Sequence, residues 1–389
     1  MYKFPQIDWG TLQNHRRNIV SDIMKETDID ALVISGHDNI RYATDVGVFL
    51  ICEAYDWFAS IVTRNGDAYL FLPYVDTVIE NPLPELPWVQ EYIPIPSWVS
   101  SISQESIWIK ALVNKLNQLG VRKVGIETLP FQLYNGLIEF MPEVSFKSVF
   151  SELAEARQVK HKEEIKLLRA SATVASLGGS AGLKAMHEGA TDFEVLAAVD
   201  YTMRINGAEF ITHNVCGSGE AQLTSGWFPK GNRLDDGDAM FFDWGCYLKG
   251  GYGADMCRTG FIGSPRPAIS KAYTILREAH QLGQDLARPG IKASDINKTV
   301  NNYLKKSGYP TTPYSIGHGV GLRACELPII YRKEMMATDT ELKEGMVIAL
   351  EPETTVESDG KLFVLKLEDM FLITNSGTER LTSTEYSEV

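Results

Sequence analysis

Two aspartates bracket a glycine-bearing turn in the stretch MFFDWGCYLKGGYGADMCRT, Asp243 near one end and Asp255 near the other. Folding the apolar flanks back around Lys249, beside Gly250 and Gly251, sets the two carboxylates approximately opposite one another. Opposed Cβ atoms on paired strands lie roughly 4.5–5.5 Å apart. A second stretch, GMVIALEPETTVESDGKLFVLKLEDMFLIT, turns at Asp359-Gly360, a strong type I′ signal. A two-residue loop there pairs Ser358 with Lys361 and, carried back along both strands, brings Glu351 opposite Glu368, with Pro352 interrupting the ladder beside Glu351. Four carboxylates on apolar strands are too costly to keep ionised without partners, so something cationic must lie among them. Structural salt bridges to lysine or arginine would satisfy each acid taken singly. With His318, an imidazole in the glycine-flanked segment GHGVGL, the set suits a pair of divalent ions such as Mn, Co, Fe or Zn. Such ions sit about 3.5–4 Å apart in two-metal sites.

The elements that must position these groups fall into two regions. The first alternates strand-like and helix-like stretches: DALVISG from Asp30, a hairpin signal at Asn65-Gly66, a helical pattern from Ile107 to Leu119 and a strand from Lys123. This is an α/β pattern. Near Glu155 the texture changes to a charged stretch with Ile165, Leu168, Ala172 and Ala175 at helical spacing, read as one long helix ending among Gly182 to Gly189. Thr191 and Glu194 form a capping box that opens a second helix running to about Asn206. From His213 onward strands and glycine turns dominate, with further helices over Ile269–Ala287 and Ser294–Ser307, an α+β arrangement. With 389 residues the chain exceeds the usual single-domain size, and the boundary is set at 155/156.

Composition removes several classes of function. A net charge of −13 opposes binding to nucleic acid, which requires clustered Lys and Arg. Neither a basic-then-apolar leader nor an apolar span of about 18 residues is present, so no membrane partner is expected and the reading is cytoplasmic. Five cysteines without CxxC spacing suggest neither a disulfide framework nor a thiolate zinc site. Gly178, Ser180 and Gly182 match GxSxG only formally, because they lie inside a helical stretch rather than at a strand-to-helix turn. Gly317, Gly319 and Gly321 lack the full dinucleotide-loop spacing.

Taken in order and spacing, FFDWGCYLKGGYGADMCRTG, GHGVGLRACELP, GMVIALEPE and KLEDMFLIT resemble the metal-ligand motifs of the creatinase/aminopeptidase P/prolidase/methionine aminopeptidase family, peptidase family M24. The likeness spans about Ala154 to Thr382, and DALVISGHDNIRYATDVG is similar to the opening of the creatinase-type amino-terminal domain. The resemblance implies a pita-bread catalytic domain over 156–389, behind a smaller α/β domain over 1–155, and a homodimer. It also implies roles: Asp243 on one metal, Asp255 and Glu368 bridging both, His318 and Glu351 completing the other. His318 and Glu351 are the catalytic candidates, with Glu351 moving a proton from an attacking, metal-bridging hydroxide to the leaving amine. The implied activity is hydrolysis of a small peptide or amide, foremost at Xaa-Pro bonds.

Peptidases of this family carry two further histidines, and here their positions fall on Gly226, followed by Trp227, and on Cys325, before Glu326. His213 is near the first, either as a substitute or as a structural histidine. The usual arginine two residues before the bridging glutamate is Lys366, which keeps the charge but loses the bidentate fork. His213, Trp227, Cys325, Glu326 and Lys366 are therefore the substrate-contact candidates. The alternative is a non-peptidase member. Gly226-Trp227-Phe228 is similar to the pocket of dimethylsulfoniopropionate lyase, although that enzyme's extra aspartate is Gly245 here, and ectoine hydrolase is another such member. A binding pseudo-enzyme is disfavoured by retention of all five ligands.

Overall fold

The computed structural model describes residues 2–47, 57–74, 86–96, 105–218 and 227–389. Chain contacts divide it into two units, Asp8–Ala156 and Arg157–Val389, and the residues up to Ile7 belong with the second. Cys52 and Gly226 lie outside the described residues.

The first unit comprises α1 (Trp9–Glu26), β1 (Ala31–Ile34), α2 (His37–Thr44), β2 (Ala59–Thr63), β3 (Ala68–Tyr74), β4 (Val89–Pro96), α3 (Glu105–Gln118), β5 (Lys123–Ile126), α4 (Phe131–Phe140), β6 (Ser145–Ser148) and α5 (Phe150–Ala156). Its mixed sheet has the order β4-β3-β2-β1-β5-β6, with β2 antiparallel to both neighbours and β1, β5 and β6 parallel. The Asn65-Gly66 signal falls in the β2–β3 loop, where Gly66 takes φ 85°. Trp108, Leu112 and Leu116 of α3 bury one helix stripe against Val33, Ile61 and Phe71 of the sheet, the packing that α/β alternation anticipates.

The second unit opens with α6 (Lys162–Ala185) and α7 (Asp192–Ile205), each started by a capping box, His161 with Glu164 and Thr191 with Glu194. The expected single helix from Glu155 is broken. Between α5 and α6 the chain turns at Arg157-Gln158, Val159 bridges Met346 and Lys160 N donates to Gly345 O, so the helix does not continue. Then follow β7 (Phe210–Ser218), β8 (Ala239–Tyr247), β9 (Met256–Phe261), α8 (Pro267–Leu286) and α9 (Ala293–Lys306). The remaining strands are β10 (Gly317–Gly319), β11 (Glu326–Ile329), β12 (Val347–Leu350), β13 (Glu353–Ser358), β14 (Lys361–Lys366), β15 (Asp369–Thr374) and β16 (Gly377–Arg380). They form sheets β7-β8-β9 and β11-β10-β12-β15-β16 and a separate ribbon, β13-β14.

Alternation along β8 decides where Asp243 points. Phe242 and Trp244 stack at 4.7 Å and are fully buried, and Trp244 Nε1 donates to the Ala175 carbonyl of α6. The helix approaches this closely because it carries glycines there: a Cβ at Gly179 would lie 2.1 Å from the Trp244 ring, and one at Gly182 2.6 Å from Phe242. Those glycines serve packing. Ser180, the formal nucleophile-elbow residue, donates its hydroxyl to Ser176 O within the helix. With its neighbours committed to α6, Asp243 faces the other way.

The hairpin register differs from the sequence expectation. The turn centres on Gly250 and Gly251, both at positive φ, so Asp243 pairs with Cys257 rather than with Asp255. The slip is two residues at the partner strand, which preserves the face. Asp255, one residue before β9, is the diagonal neighbour of Asp243, still within reach of it.

The second hairpin turns at Asp359 (φ 53°) and Gly360 (φ 75°), as a type I′ turn requires, and Ser358 pairs with Lys361. Its two arms continue from one sheet into another in a single register: Glu353 pairs with Lys366 in β13-β14, and Leu350 with Asp369 in β12-β15. Glu351-Pro352 and Leu367-Glu368 occupy the corner between them. There Glu368 leaves its own ribbon and bridges Cys257, its N donating to Cys257 O at 3.1 Å. That bridge ties the two hairpins together.

Candidate metal centre

The bridge from Glu368 to Cys257, which itself pairs with Asp243, gathers Asp243, Asp255, Glu351 and Glu368 about one point, and β10 adds His318 between β11 and β12. All five are buried. Gly317 and Gly319, which flank His318, admit the neighbouring strands: a Cβ would lie 2.2 Å from Ala349 O or 2.1 Å from Leu327 O. These glycines are there for close backbone approach, consistent with the rejection of a dinucleotide loop.

His318 Nδ1 donates to the Gly319 carbonyl at 3.1 Å, which turns Nε2 towards Glu351 Oε1 at 3.5 Å, Asp255 Oδ2 at 3.7 Å and Glu368 Oε1 at 3.7 Å. Three carboxylate oxygens thus surround one imidazole nitrogen just beyond hydrogen-bond distance, as donors around a shared centre do. Burial opposes protonation of His318, but the Cys325 hydrogen bond and the charges of Glu351 and Asp255 hold its pKa well above the usual imidazole value.

On the other side, His213 of β7 has Nε2 2.8 Å from Asp243 Oδ1 and 3.1 Å from Asp255 Oδ1. Burial works against its protonated form, yet the Asp255 charge and the bonds to both aspartates push its pKa up to about 11. Lys366, fully buried at the end of β14, donates to Asp243 Oδ2 and, at 2.8 Å, to Glu351 Oε2, and its Nζ lies 5.0 Å from the Trp227 ring centre. Asp243, whose burial alone would raise its pKa, is held far below the usual carboxylate range by Lys366 and His213.

These residues fit divalent cations. Against four carboxylates the described residues set one lysine, Lys366, and two imidazoles, His213 and His318. Both Glu368 side-chain oxygens are buried without a hydrogen-bond partner. Burial and the nearby Asp255 charge push that carboxyl's pKa well up, although Lys366 at 3.7 Å opposes the shift. Ligand atoms of His213, Asp243 and Asp255 lie within 4.8 Å of one another, as do those of Asp255, His318 and Glu368. Asp255 belongs to both groups.

The other candidates sort differently. Trp227 packs edge-on against Phe241 and Tyr314 at 5.6 and 5.8 Å, an aromatic wall beside Lys366. Cys325 is exposed, whereas Cys216, Cys246 and Cys257 are buried. Glu326, expected to face substrate, is engaged by two cations, Arg157 Nη2 at 2.5 Å and Lys160 Nζ at 2.8 Å. Sequence reasoning placed His213 and Lys366 among substrate contacts, but the structure sets both directly on the acidic cluster. Tyr314 was missed altogether. The available signal for His213 was its strand: two residues from Val215, the partner of Asp243, it projects from the same face.

A carboxylate-rich, imidazole-containing cradle built from two hairpins is what a metallohydrolase requires. A family model described as Metallopeptidase family M24 matches residues 166–375, and one described as the Creatinase/Prolidase N-terminal domain matches 16–159. The chain belongs to peptidase family M24, with a creatinase-type amino-terminal domain, and family membership implies divalent metal. It is 29% identical to an Xaa-Pro dipeptidase of Pyrococcus horikoshii over 377 residues, 96% of this chain and 98% of that one. It is 33% identical to an Xaa-Pro dipeptidase of Pyrococcus furiosus over 265 residues, 67% of this chain and 74% of that one. The crystal structure of the prolidase from Pyrococcus horikoshii OT3 superposes with a TM-score of 0.78 at 27% identity, covering 96% of this chain and 99% of the other. The fold is therefore α+β, with the pita-bread architecture behind a creatinase-type domain.

Proposed function

We propose that the chain hydrolyses Xaa-Pro bonds in short peptides, with the chemistry confined to residues 156–389 and two divalent ions of the Mn, Co, Fe or Zn class. The observation that carries this is Glu368: two buried oxygens without a hydrogen bond at the corner where both hairpins meet, beside Asp255 and His318. The names of the Pyrococcus relatives support the choice of substrate.

Asp243, Asp255 and Glu368 would hold one ion, and Asp255, His318, Glu351 and Glu368 the other. Bound ions would supply Lewis acidity at the scissile carbonyl and lower the pKa of a water towards neutrality. The protein does the remainder. Lys366 fixes Glu351 through Oε2, leaving Oε1 on the His318 side to take the proton at attack and pass it to the leaving amine. Lys366 also holds Asp243, so one ammonium ties the two hairpins together. Trp227 and Tyr314 offer an apolar wall of the kind a proline ring packs against. A homodimer and a cytoplasmic location are part of the same reading and rest on the family resemblance. Among the described residues no helix is long and apolar enough to cross a membrane.

The test is metal-reconstituted turnover on Xaa-Pro dipeptides, longer Xaa-Pro peptides, ectoine and dimethylsulfoniopropionate. Release of proline is expected, with Asp255→Asn inactive but folded by circular dichroism. Acrylate as the only product would replace the peptidase reading with a lyase, and full activity in Asp255→Asn would remove that residue from the mechanism.

A further inference from the structure

His213 stands outside the five ligands that the motifs of the family supply, yet its surroundings mirror those of His318. Each ring is held through Nδ1, His318 by the Gly319 carbonyl at 3.1 Å and His213 by the Thr212 hydroxyl at 2.8 Å. Each turns Nε2 onto carboxylates. The two imidazoles share Asp255 between them, His213 facing Oδ1 at 3.1 Å and His318 facing Oδ2 at 3.7 Å. A carboxylate whose two oxygens each meet a different imidazole nitrogen has the geometry of a bridge between two cation positions.

From this symmetry we infer that His213 is a metal ligand, completing with Asp243 and Asp255 a first cation position that carries an imidazole just as the His318 position does. The inference rests on the two-ion reading proposed above and adds to it a protein ligand and a selectivity.

The local backbone supports the assignment. β7 pairs with β8 so that Val215 faces Asp243 and His213 faces Gly245. A Cβ at Gly245 would lie 2.3 Å from Thr212 Oγ1, the atom that orients the His213 ring, and 2.0 Å from the Ala254 carbonyl next to Asp255. Glycine at 245 thus keeps both the ring's anchor and the Asp255 segment in place. Nδ1 anchoring of a ligating histidine is the usual means of fixing the ring and its tautomer. Lys366 takes Asp243 Oδ2, which leaves Oδ1 on the His213 side for a cation. A nitrogen donor in place of a further oxygen shifts preference towards Zn(II) and Co(II) relative to Mn(II).

The experiment is titration of metal-free protein with Zn(II), and separately with Mn(II), by calorimetry, with bound metal counted after dialysis. X-ray absorption on the Zn(II) form counts imidazoles. Wild type is expected to hold two Zn(II) per chain with an average of one imidazole per ion. In His213→Ala one of the two Zn(II) affinities should fall at least 100-fold, Mn(II) binding should change less, and at Zn(II) concentrations that fill both positions the average should fall to half an imidazole per ion. Equal Zn(II) affinities in wild type and His213→Ala, with an unchanged imidazole count, would overturn the assignment and leave His213 as an imidazolium spanning two aspartates. A single Zn(II) in wild type would instead overturn the two-ion reading, and this inference with it. Should His213→Ala fail to fold, the wild-type imidazole count decides alone: one imidazole shared between two ions excludes His213.

Discussion

Replacing Glu326 by Gln distinguishes a structural acid from a substrate contact. Glu326 accepts from Arg157 and Lys160, whose side chains are 7% and 1% exposed. Gln keeps one acceptor oxygen but removes the negative charge that faces both cations. Breaking a buried ion pair from one side costs about 3–5 kcal/mol. With a urea m-value of about 3 kcal/mol/M, that is a midpoint lowered by roughly 1–1.7 M. The pH dependence has a definite sign. Burial alone would raise the Glu326 pKa, but Lys160 and Arg157 reverse this and hold it below the usual carboxylate value. Its contribution is therefore complete above the unfolded-state pKa of about 4.3 and is lost as the pH falls through the lower folded-state value. The gap between wild type and variant should be constant near neutrality and close on acidification. The assay is urea unfolding of metal-loaded protein followed by tryptophan fluorescence, with KM for an Xaa-Pro dipeptide measured alongside. A midpoint within the error of wild type, together with a KM raised many-fold, would refute the reasoning and return Glu326 to the substrate.

Gly245→Ala should cost about 1–3 kcal/mol by overpacking, since its Cβ meets a backbone carbonyl 2.0 Å away. A lowered thermal midpoint and reduced metal content after purification check it. His280 is buried with Nε2 3.2 Å from the Leu350 carbonyl, and burial lowers its pKa from 6.5 to about 4. The folded state then binds fewer protons than the unfolded one, so its cost is absent above pH 6.5 and grows to about 3 kcal/mol by pH 4. His280→Asn should flatten that part of the stability–pH curve measured by denaturant titration. Chelating the divalent ions should lower the melting temperature and re-addition should restore it; at a hundredfold excess over Kd the ions contribute about 2.7 kcal/mol, and an unchanged melt would remove Glu368 from metal binding.

What the sequence disclosed about the site follows from the range of the interactions involved. The Asp359-Gly360 turn admits one loop length, so every pairing along its arms is determined locally, and the register runs as read from Ser358–Lys361 to Val347–Leu372. The Gly250-Gly251 turn is longer and less constrained, and there the reading centred on Lys249 instead of Gly250. That error cost nothing in function, because strand alternation returns every second residue to the same face and Asp255 stayed beside Asp243.

Contacts between ribbons are another matter. Nothing in the local spacing states that Glu368 will leave its hairpin to bridge Cys257, or that β7 will lie against β8 with His213 opposite Gly245. Those pairings are long-range, and hydrophobic pattern specifies which face of a strand is buried without specifying its neighbour. Resemblance to the family pointed to Asp243, Asp255, His318, Glu351, Glu368 and the position of Lys366 without these pairings, and gave no sign of Tyr314 or of how His213 meets the two aspartates. Lys366 illustrates the difference. Read in one dimension it keeps arginine's charge without the bidentate fork, whereas in the fold its single ammonium links Asp243 of one hairpin to Glu351 of the other. A point charge with rotatable donors can join two carboxylates that a rigid guanidinium fork would engage in a different geometry. The spacing of the cluster in this chain is therefore set in part by a residue whose charge, but not whose partners, motif reading discloses.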